Sequence, residues 1–231
     1  MEYPPDLNAE NKAAWEELYA STPDLIWGSK PVGFLADLQP DFRSLPAGAV
    51  LDAAAGEGRN LPLLVDRGRT VVAADASAAA LAKIPNPVAA SIEKLECDLA
   101  AIPRPDASFA FILASDIFET LPTPLPVLRE MARLLVPNGK LLINIPGLED
   151  DVAGIDMQPT GDGWMYQEKY YFHFYLPDET EALFKAAGLR IVHQEVCTWA
   201  EDSHPHFRAA PHRHRSHVFI AERRIEDQAT P

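Results

Sequence analysis

The sequence predicts an α/β fold built on a parallel sheet, and three observations carry that expectation. Residues 50–60, Val-Leu-Asp-Ala-Ala-Ala-Gly-Glu-Gly-Arg-Asn, read as a strand, a tight turn and a helix start. Residues 71–75, Val-Val-Ala-Ala-Asp, read as a second buried strand that also ends in an acid. Beyond them, apolar runs and helix-like segments keep alternating, which is the pattern of strands joined by right-handed crossovers.

Taken in order, residues 8–20 form a helix of good helix formers, with Trp15, Leu18 and Tyr19 on one face. Residues 25–31 break it, and 32–38 make a second short helix. Strand 50–53 leads into helix 59–66, which ends at Gly68. Strand 70–74 leads into a helix that Ser77 caps and that reaches Lys83. A short strand ends at Cys97, before Asp98. Strand 108–114 precedes helix 125–135, whose Arg129, Glu130 and Arg133 lie on its wet side. Pro137-Asn138-Gly139 is a turn into buried strand 140–145. Residues 147–171 show no period and read as an insertion. Helix 178–187 closes on Gly188, and strands 189–198 and 217–222 follow.

Composition narrows the function. The 231 residues fit one domain, and a net charge of −14 disfavours a nucleic-acid or anionic-membrane surface. No apolar run spans a bilayer, and the first residues have neither the basic nor the apolar stretch of a signal peptide. Two cysteines, Cys97 and Cys197, do not make a disulfide scaffold. The expectation is a cytoplasmic protein, monomer or homodimer.

The glycine turn sets the chemistry. Gly56 and Gly58 let backbone approach a ligand closely. A dinucleotide fingerprint would need glycine at Leu61, and a phosphate-binding loop would need Gly-Lys-Ser/Thr; neither is present. Asp52 suits a ligand carrying an ammonium better than one carrying a pyrophosphate. Asp75, 23 positions after Asp52, is spaced to reach a ribose. A ribose joined to an amino-acid end points to S-adenosylmethionine.

Here the stretch resembles motif I of class I S-adenosylmethionine-dependent methyltransferases, with Ala54 where the usual first glycine stands. Trp15, Tyr19, Ile26-Trp27-Gly28, Pro31 and Phe34-Leu35, ahead of Gly-Glu-Gly-Arg-Asn, are similar to the tellurite-resistance-type and thiopurine-type small-molecule methyltransferases. The resemblance covers nearly the whole chain. It implies a Rossmann-like, seven-stranded, mostly parallel sheet with the last strand antiparallel, helices on both faces and an N-terminal arm folded over the cofactor. It divides one domain into an arm or lid (1–45), a cofactor core (46–146), a substrate-region insertion (147–175), a C-terminal helix and strand pair (176–224) and a tail (225–231).

The same resemblance assigns Asp75, with Ala76 after it, to the ribose, Asp98 and Leu99 to the adenine, and Asp52 to the methionyl ammonium. Ser115 lies just past a strand end on the ligand face. Trp27 belongs to the lid, and Lys30 or Arg59 would neutralise the cofactor carboxylate. Phe109-Ala110-Phe111 departs from the usual Phe-Asp. Positioning can supply much of the rate of transfer from a sulfonium, so no triad is expected; His173, Asp116 and Glu119 are the candidate bases. Trp164, Tyr166 and Tyr170 of the insertion, with Arg213 and Arg215 of a His/Arg-rich loop at 199–216, are candidate acceptor contacts suited to a small aromatic or anionic molecule. The arginines in that loop would repel a divalent cation, so no metal site is expected. A non-catalytic S-adenosylmethionine-binding or partner-binding domain and a nicotinamide-dependent oxidoreductase stay open as alternatives.

Overall fold

The computed structural model describes residues 7–65, 67–161, 163–204 and 206–224. The expected tail at 225–231, the first six residues of the arm and the expected helix end at Asp66 lie outside them.

The arm begins with α1 (Leu7–Ser21) and, after a run of turns, reaches α2 (Leu35–Leu38). Then come β1 (Ala49–Ala53), α3 (Leu61–Leu64), β2 (Val71–Asp75), α4 (Ala78–Ala82) and β3 (Glu93–Glu96). β4 (Phe109–Ala114), α5 (Pro124–Leu134) and β5 (Leu135–Pro146) complete the alternating core. Three short strands, β6 (Met157–Thr160), β7 (Gly163–Tyr166) and β8 (Tyr170–Phe172), form a separate antiparallel sheet. α6 (Pro177–Ala186), β9 (Leu189–Glu201) and β10 (His212–Arg223) close the chain.

The main sheet has seven strands in the order β3-β2-β1-β4-β5-β10-β9. β1 pairs in parallel with β2 and β4, and β4 with β5, while β10 runs antiparallel to both β5 and β9. This is the seven-stranded, mostly parallel sheet that the sequence predicts. Its side chains alternate between two cores. Leu51, Ile112 and Phe219 face α5 and α6, whereas Val50, Leu113 and Val218 face the arm and α3. A third cluster joins Leu18, Tyr19 and Ile26 of the arm to Tyr166, Tyr170 and Phe172 of the small sheet and to Phe207. It roofs the carboxyl ends of the main strands.

Local departures from the expected elements have clear causes. The second arm helix covers only 35–38, because Val32 sits in a turn whose amide donates to Asn60 Oδ1 at 2.9 Å. α3 starts at Leu61 with Pro62 in its first turn, leaving Arg59 in the preceding loop. Pro137-Asn138-Gly139 does not precede a strand but bulges from β5: Phe109 pairs with Leu135 and Phe111 with Lys140, with Asn138 at φ +62. Glu130 is buried and accepts from the Ile102 amide at 2.8 Å, and Arg133 donates to the Ile102 and Arg104 carbonyls. Two of the three expected wet-side groups therefore pin the segment before β4. The insertion has its own small sheet, and the expected loop at 199–216 has strand at both ends, with 199–201 in β9 and 212–216 in β10.

The arm lies close on β9 because Gly33 has no side chain: a Cβ there would stand 2.4 Å from Trp199 Cβ. Gly33→Ala should cost about 1–3 kcal/mol through overpacking, lowering the melting temperature by roughly 2–12 °C for a chain of this size. Differential scanning calorimetry on the two proteins checks this; an unchanged melting temperature would show that the arm can shift off β9 at no cost.

Candidate functional site

One cavity of about 400 Å³ lies where the carboxyl ends of β1, β2, β3, β4 and β9 meet the roof. That is the position at which open α/β sheets bind ligands. Its floor includes Ala54, Asp75, Ala76, Asp98, Leu99 and Ser115, each at or just past a strand end. Its roof includes Trp15, Tyr19 and Trp27 of the arm, with Phe172, His204 and Phe207 beyond them.

The glycine turn is held from both sides. Ala54, Gly56 and Gly58 all have positive φ, at +61, +53 and +82. At Ala54 a side chain occupies the left-handed region that glycine would enter freely. Asp75 Oδ2 accepts from the Gly56 amide and its Oδ1 from the Ser77 amide, each at 2.8 Å. Burial pushes the Asp75 carboxyl up, and these amides pull against that shift. Asp52 is buried with neither oxygen partnered among the described residues. Burial, then the charge of Asp75, pushes its carboxyl up to about 8, against Arg59. Asp52 lies beneath the cavity wall rather than on it.

Two residues inside the turn, which sequence reasoning passed over, anchor the roof. Glu57 is buried; its Oε2 accepts from the amides of Ile26 (2.8 Å) and Trp27 (3.2 Å), and its Oε1 pairs with Lys83 at 3.2 Å. Asn60 accepts from Val32 and donates to Ser115 Oγ at 2.8 Å. Trp27 donates from its indole to Tyr19 at 2.7 Å. Lys12 of α1 pairs with Asp98 at 2.6 Å. Partial burial pushes the Asp98 carboxyl up, but Lys12 and the Ala100 amide outweigh it and hold it below the usual range.

The other candidates divide. Arg59 lies between Asp116 (2.5 Å) and Glu201 (3.1 Å), so it is engaged by two carboxylates at the cavity wall. Lys30 is exposed and pairs with Asp202, off the cavity. Asp116 and Glu119 line the cavity, and Asp116 is also clasped by Asn144 at 2.8 and 2.9 Å. Burial first, then Asp116, raises Glu119 well above the ordinary carboxylate range, and its Oε2 has no partner among the described residues. His173 is not on the cavity wall; it contacts Glu179 at 2.9 Å. Trp164, Tyr166 and Tyr170 stand behind the wall, where Tyr166 donates to the Phe207 carbonyl at 2.7 Å and Tyr170 packs on Trp15.

Arg213 and Arg215 are exposed, and the expectation that they reach the cavity is corrected by strand geometry. Residues 212–217 belong to β10, where side chains alternate between faces. His212 and His214 face the cavity, and the two arginines point the other way. The alternation His-Arg-His-Arg was itself a period-two signal for a strand. His212 and His214 contact each other through their Nε2 atoms at 3.2 Å, and His214 Nδ1 reaches Asp150 at 3.3 Å. Burial and His214 push His212 down to about 4. Burial opposes charge on His214 too, but Asp150 and Asp116 raise it. Among the described residues no group of three or more His, Cys, Asp or Glu is placed to hold a metal ion.

Comparison with known proteins follows the same line. A family model described as methyltransferase domain matches residues 32–194. Over 97 residues the chain is 32% identical to a probable S-adenosylmethionine-dependent methyltransferase of Mycobacterium tuberculosis, a match spanning 42% of this chain. It covers 35% of that curated relative's length. An S-adenosylmethionine-dependent methyltransferase structure from Methanosarcina mazei has a TM-score of 0.64 at 16% identity, covering 82% of this chain and all of its own. The 1,6-didemethyltoxoflavin-N1-methyltransferase of Burkholderia thailandensis, with bound 1,6-didemethyltoxoflavin and S-adenosylhomocysteine, also has a TM-score of 0.64, at 17% identity, over 97% of this chain and 92% of its own.

Asp52 gives a pH test. An aspartate in an unfolded chain titrates near ~4, and Asp52 in the fold titrates near 8. Between those values the folded state holds a proton that the unfolded chain has released, so this group erodes stability as pH rises through the window. Asp52→Asn should therefore raise the melting temperature more at pH 8.5 than at pH 4.5. Calorimetry at the two pH values checks it; equal shifts would mean that Asp52 is not held protonated in the fold.

Proposed function

Because this chain belongs to the methyltransferase-domain family, we propose that it transfers a methyl group from S-adenosylmethionine to a small molecule. The observation that carries this reading is the single cavity joining the glycine turn and the strand-end acids to an aromatic chamber under the arm. Its volume is in the range of a small-molecule site and its roof is closed by three separate segments. The Burkholderia relative, whose structure holds a small acceptor beside S-adenosylhomocysteine, supports the reading. The arm pattern around Trp15, Trp27 and Phe34 further supports a place near the tellurite-resistance-type and thiopurine-type enzymes.

The residues present fit the cofactor. Asp75 and Asp98 offer carboxylate acceptors where ribose hydroxyls and an exocyclic amine need them, and Leu99 offers an apolar flank. Ala54 and Ala76 put little side chain in the way. The amino-acid end would lie against Ala55 and Asn60, with Trp27 above it and Asp52 beneath the wall. Arg59 would meet the carboxylate end while shared with Asp116 and Glu201. When bound, S-adenosylmethionine supplies a methyl group already activated on a sulfonium, so the chain's own task is to bind, orient and exclude water. The acceptor would stand among Trp15, Trp27, Phe172 and Phe207, which favours a flat aromatic molecule. The case for an anionic acceptor built on Arg213 and Arg215 goes with their exposure.

Thermal shift and titration test this. S-adenosylhomocysteine at 100 times its dissociation constant should stabilise the fold by ~2.7 kcal/mol, a rise of roughly 5–10 °C, with no effect from NAD. Asp75→Asn should weaken that binding about tenfold or more, since a hydrogen bond to a charged group is worth ~1.5–3 kcal/mol. A shift with NAD alone would replace the cofactor assignment, and unchanged affinity in Asp75→Asn would remove that residue from the ribose.

A further inference from the structure

His204 is buried in the cavity roof, edge-on to Trp27 and to His212 at ring-centroid distances of 4.9 and 5.1 Å. Its Nδ1 lies 3.2 Å from the carbonyl oxygen of Ile26. A carbonyl only accepts, so Nδ1 carries the proton and donates it. The neutral ring then leaves Nε2 with a bare lone pair. Nε2 has no partner among the described residues and is not closed off from the cavity that the ring lines.

The peptide that fixes this tautomer is itself held. It joins Ile26 to Trp27; its carbonyl accepts from His204, and its N–H donates to Glu57 Oε2 at 3.2 Å. The Glu57 carboxylate, one peptide group and the imidazole thus form a chain of hydrogen bonds, each polarising the next. The groups facing the ring divide in sign: Arg59 and His214 oppose a charge on it, and Asp116 favours one. Burial is the largest influence and pushes the imidazole down to about 4, so it is neutral at physiological pH.

Resting on the methyl-transfer reading above, we propose that His204 is a catalytic residue whose Nε2 takes the proton of an acceptor that bears one on its attacking atom, with Glu57 as the positioning residue behind it. A base this weak does not strip the acceptor in advance. It acts as the new bond forms, when the hydrogen on the attacking oxygen, nitrogen or sulfur becomes strongly acidic. The bond made joins the acceptor atom to the methyl carbon. The bond broken is methyl to sulfur, whose electron pair stays on a neutral thioether. The proton ends on Nε2, the ring becomes an imidazolium bound to Ile26, and water takes the proton afterwards.

Four measurements on the full chain test this. In ¹⁵N-histidine-labelled protein, the imidazole signals of His204, assigned by loss in His204→Gln, should show a neutral ring protonated at Nδ1 from pH 5.5 to 8. In Glu57→Gln the Nδ1 proton should move upfield and exchange faster. In turnover with phenol and catechol as probes, whose hydroxyls keep their protons at neutral pH as a tyrosine's does, His204→Gln should lower kcat by ~100-fold or more and change KM less than threefold. Methylation of pyridine, whose nitrogen has no proton to lose, should not slow. Isothermal titration should give S-adenosylhomocysteine the same affinity in His204→Gln and wild type. An Nε2-protonated ring, an imidazolium at pH 7, or an equal loss on pyridine would overturn the proposal. If S-adenosylhomocysteine fails to bind wild type, the cofactor reading falls instead, and the two spectroscopic measurements still decide whether His204 is held as proposed.

Discussion

The buried carboxylate of Glu57 is the contact on which the site's geometry depends. It sits in the glycine turn, between Gly56 and Gly58 at positive φ, and faces the arm. By accepting the Ile26 and Trp27 amides and pairing with Lys83, it satisfies two main-chain donors that the roof would otherwise bury without partners. Removing it would leave those donors unpaired in a dry environment and leave Lys83, among the described residues, only the Asp24 carbonyl as acceptor. The turn proposed to receive one end of the cofactor is therefore also the point from which the roof hangs. Asn60 repeats the arrangement three residues on, joining Val32 to Ser115.

The remaining charge in the cavity is organised around one cation. Arg59 links Asp116, after β4, to Glu201, at the end of β9, and so ties the two sides of the sheet across the cavity. Its charge lowers what Asp52 and Glu119 would otherwise suffer from burial, yet both still lie above the ordinary carboxylate range. The chamber next to them is thus less negative than its residue list suggests. The neutral imidazoles of His204 and His212 line it, and such groups can trade hydrogen bonds with an uncharged acceptor.

Much of this fold was legible in the sequence because its signals are local. Apolar strands ending in Asp52 and Asp75, the Gly56 and Gly58 turn, the Ser77 cap and the Gly188 stop each declare themselves within a few residues. Ser77 accepts from the Ala80 amide at 2.9 Å, and Gly188 has φ +73. The roof was not legible, since its anchors connect residues far apart in the chain. Glu57 and Asn60 meet backbone amides some thirty residues away, and a backbone amide has no residue type to read. The aromatic residues of the insertion read as pocket contacts, but Trp164, Tyr166 and Tyr170 stand behind the wall that Phe172 lines: which aromatic lines a cavity and which backs it depends on packing. The His/Arg run was misjudged for another reason. Its charge suggests a loop, whereas its period of two decides that histidines face in and arginines out.

The roof has two aromatic layers, Trp15, Trp27 and Phe207 in front and Tyr166 and Tyr170 behind. The rear layer is locked by hydrogen bonding and stacking, with Tyr166 on the Phe207 carbonyl and Tyr170 against both Trp15 and Phe207. A substitution in the front layer would therefore re-cut the chamber against a fixed backing. The strand ends proposed to receive the cofactor lie on the opposite wall and would not feel it. Such a division makes the chamber evolvable: descendants of one chain can change the molecule they accept by single steps and keep the donor half of the reaction intact.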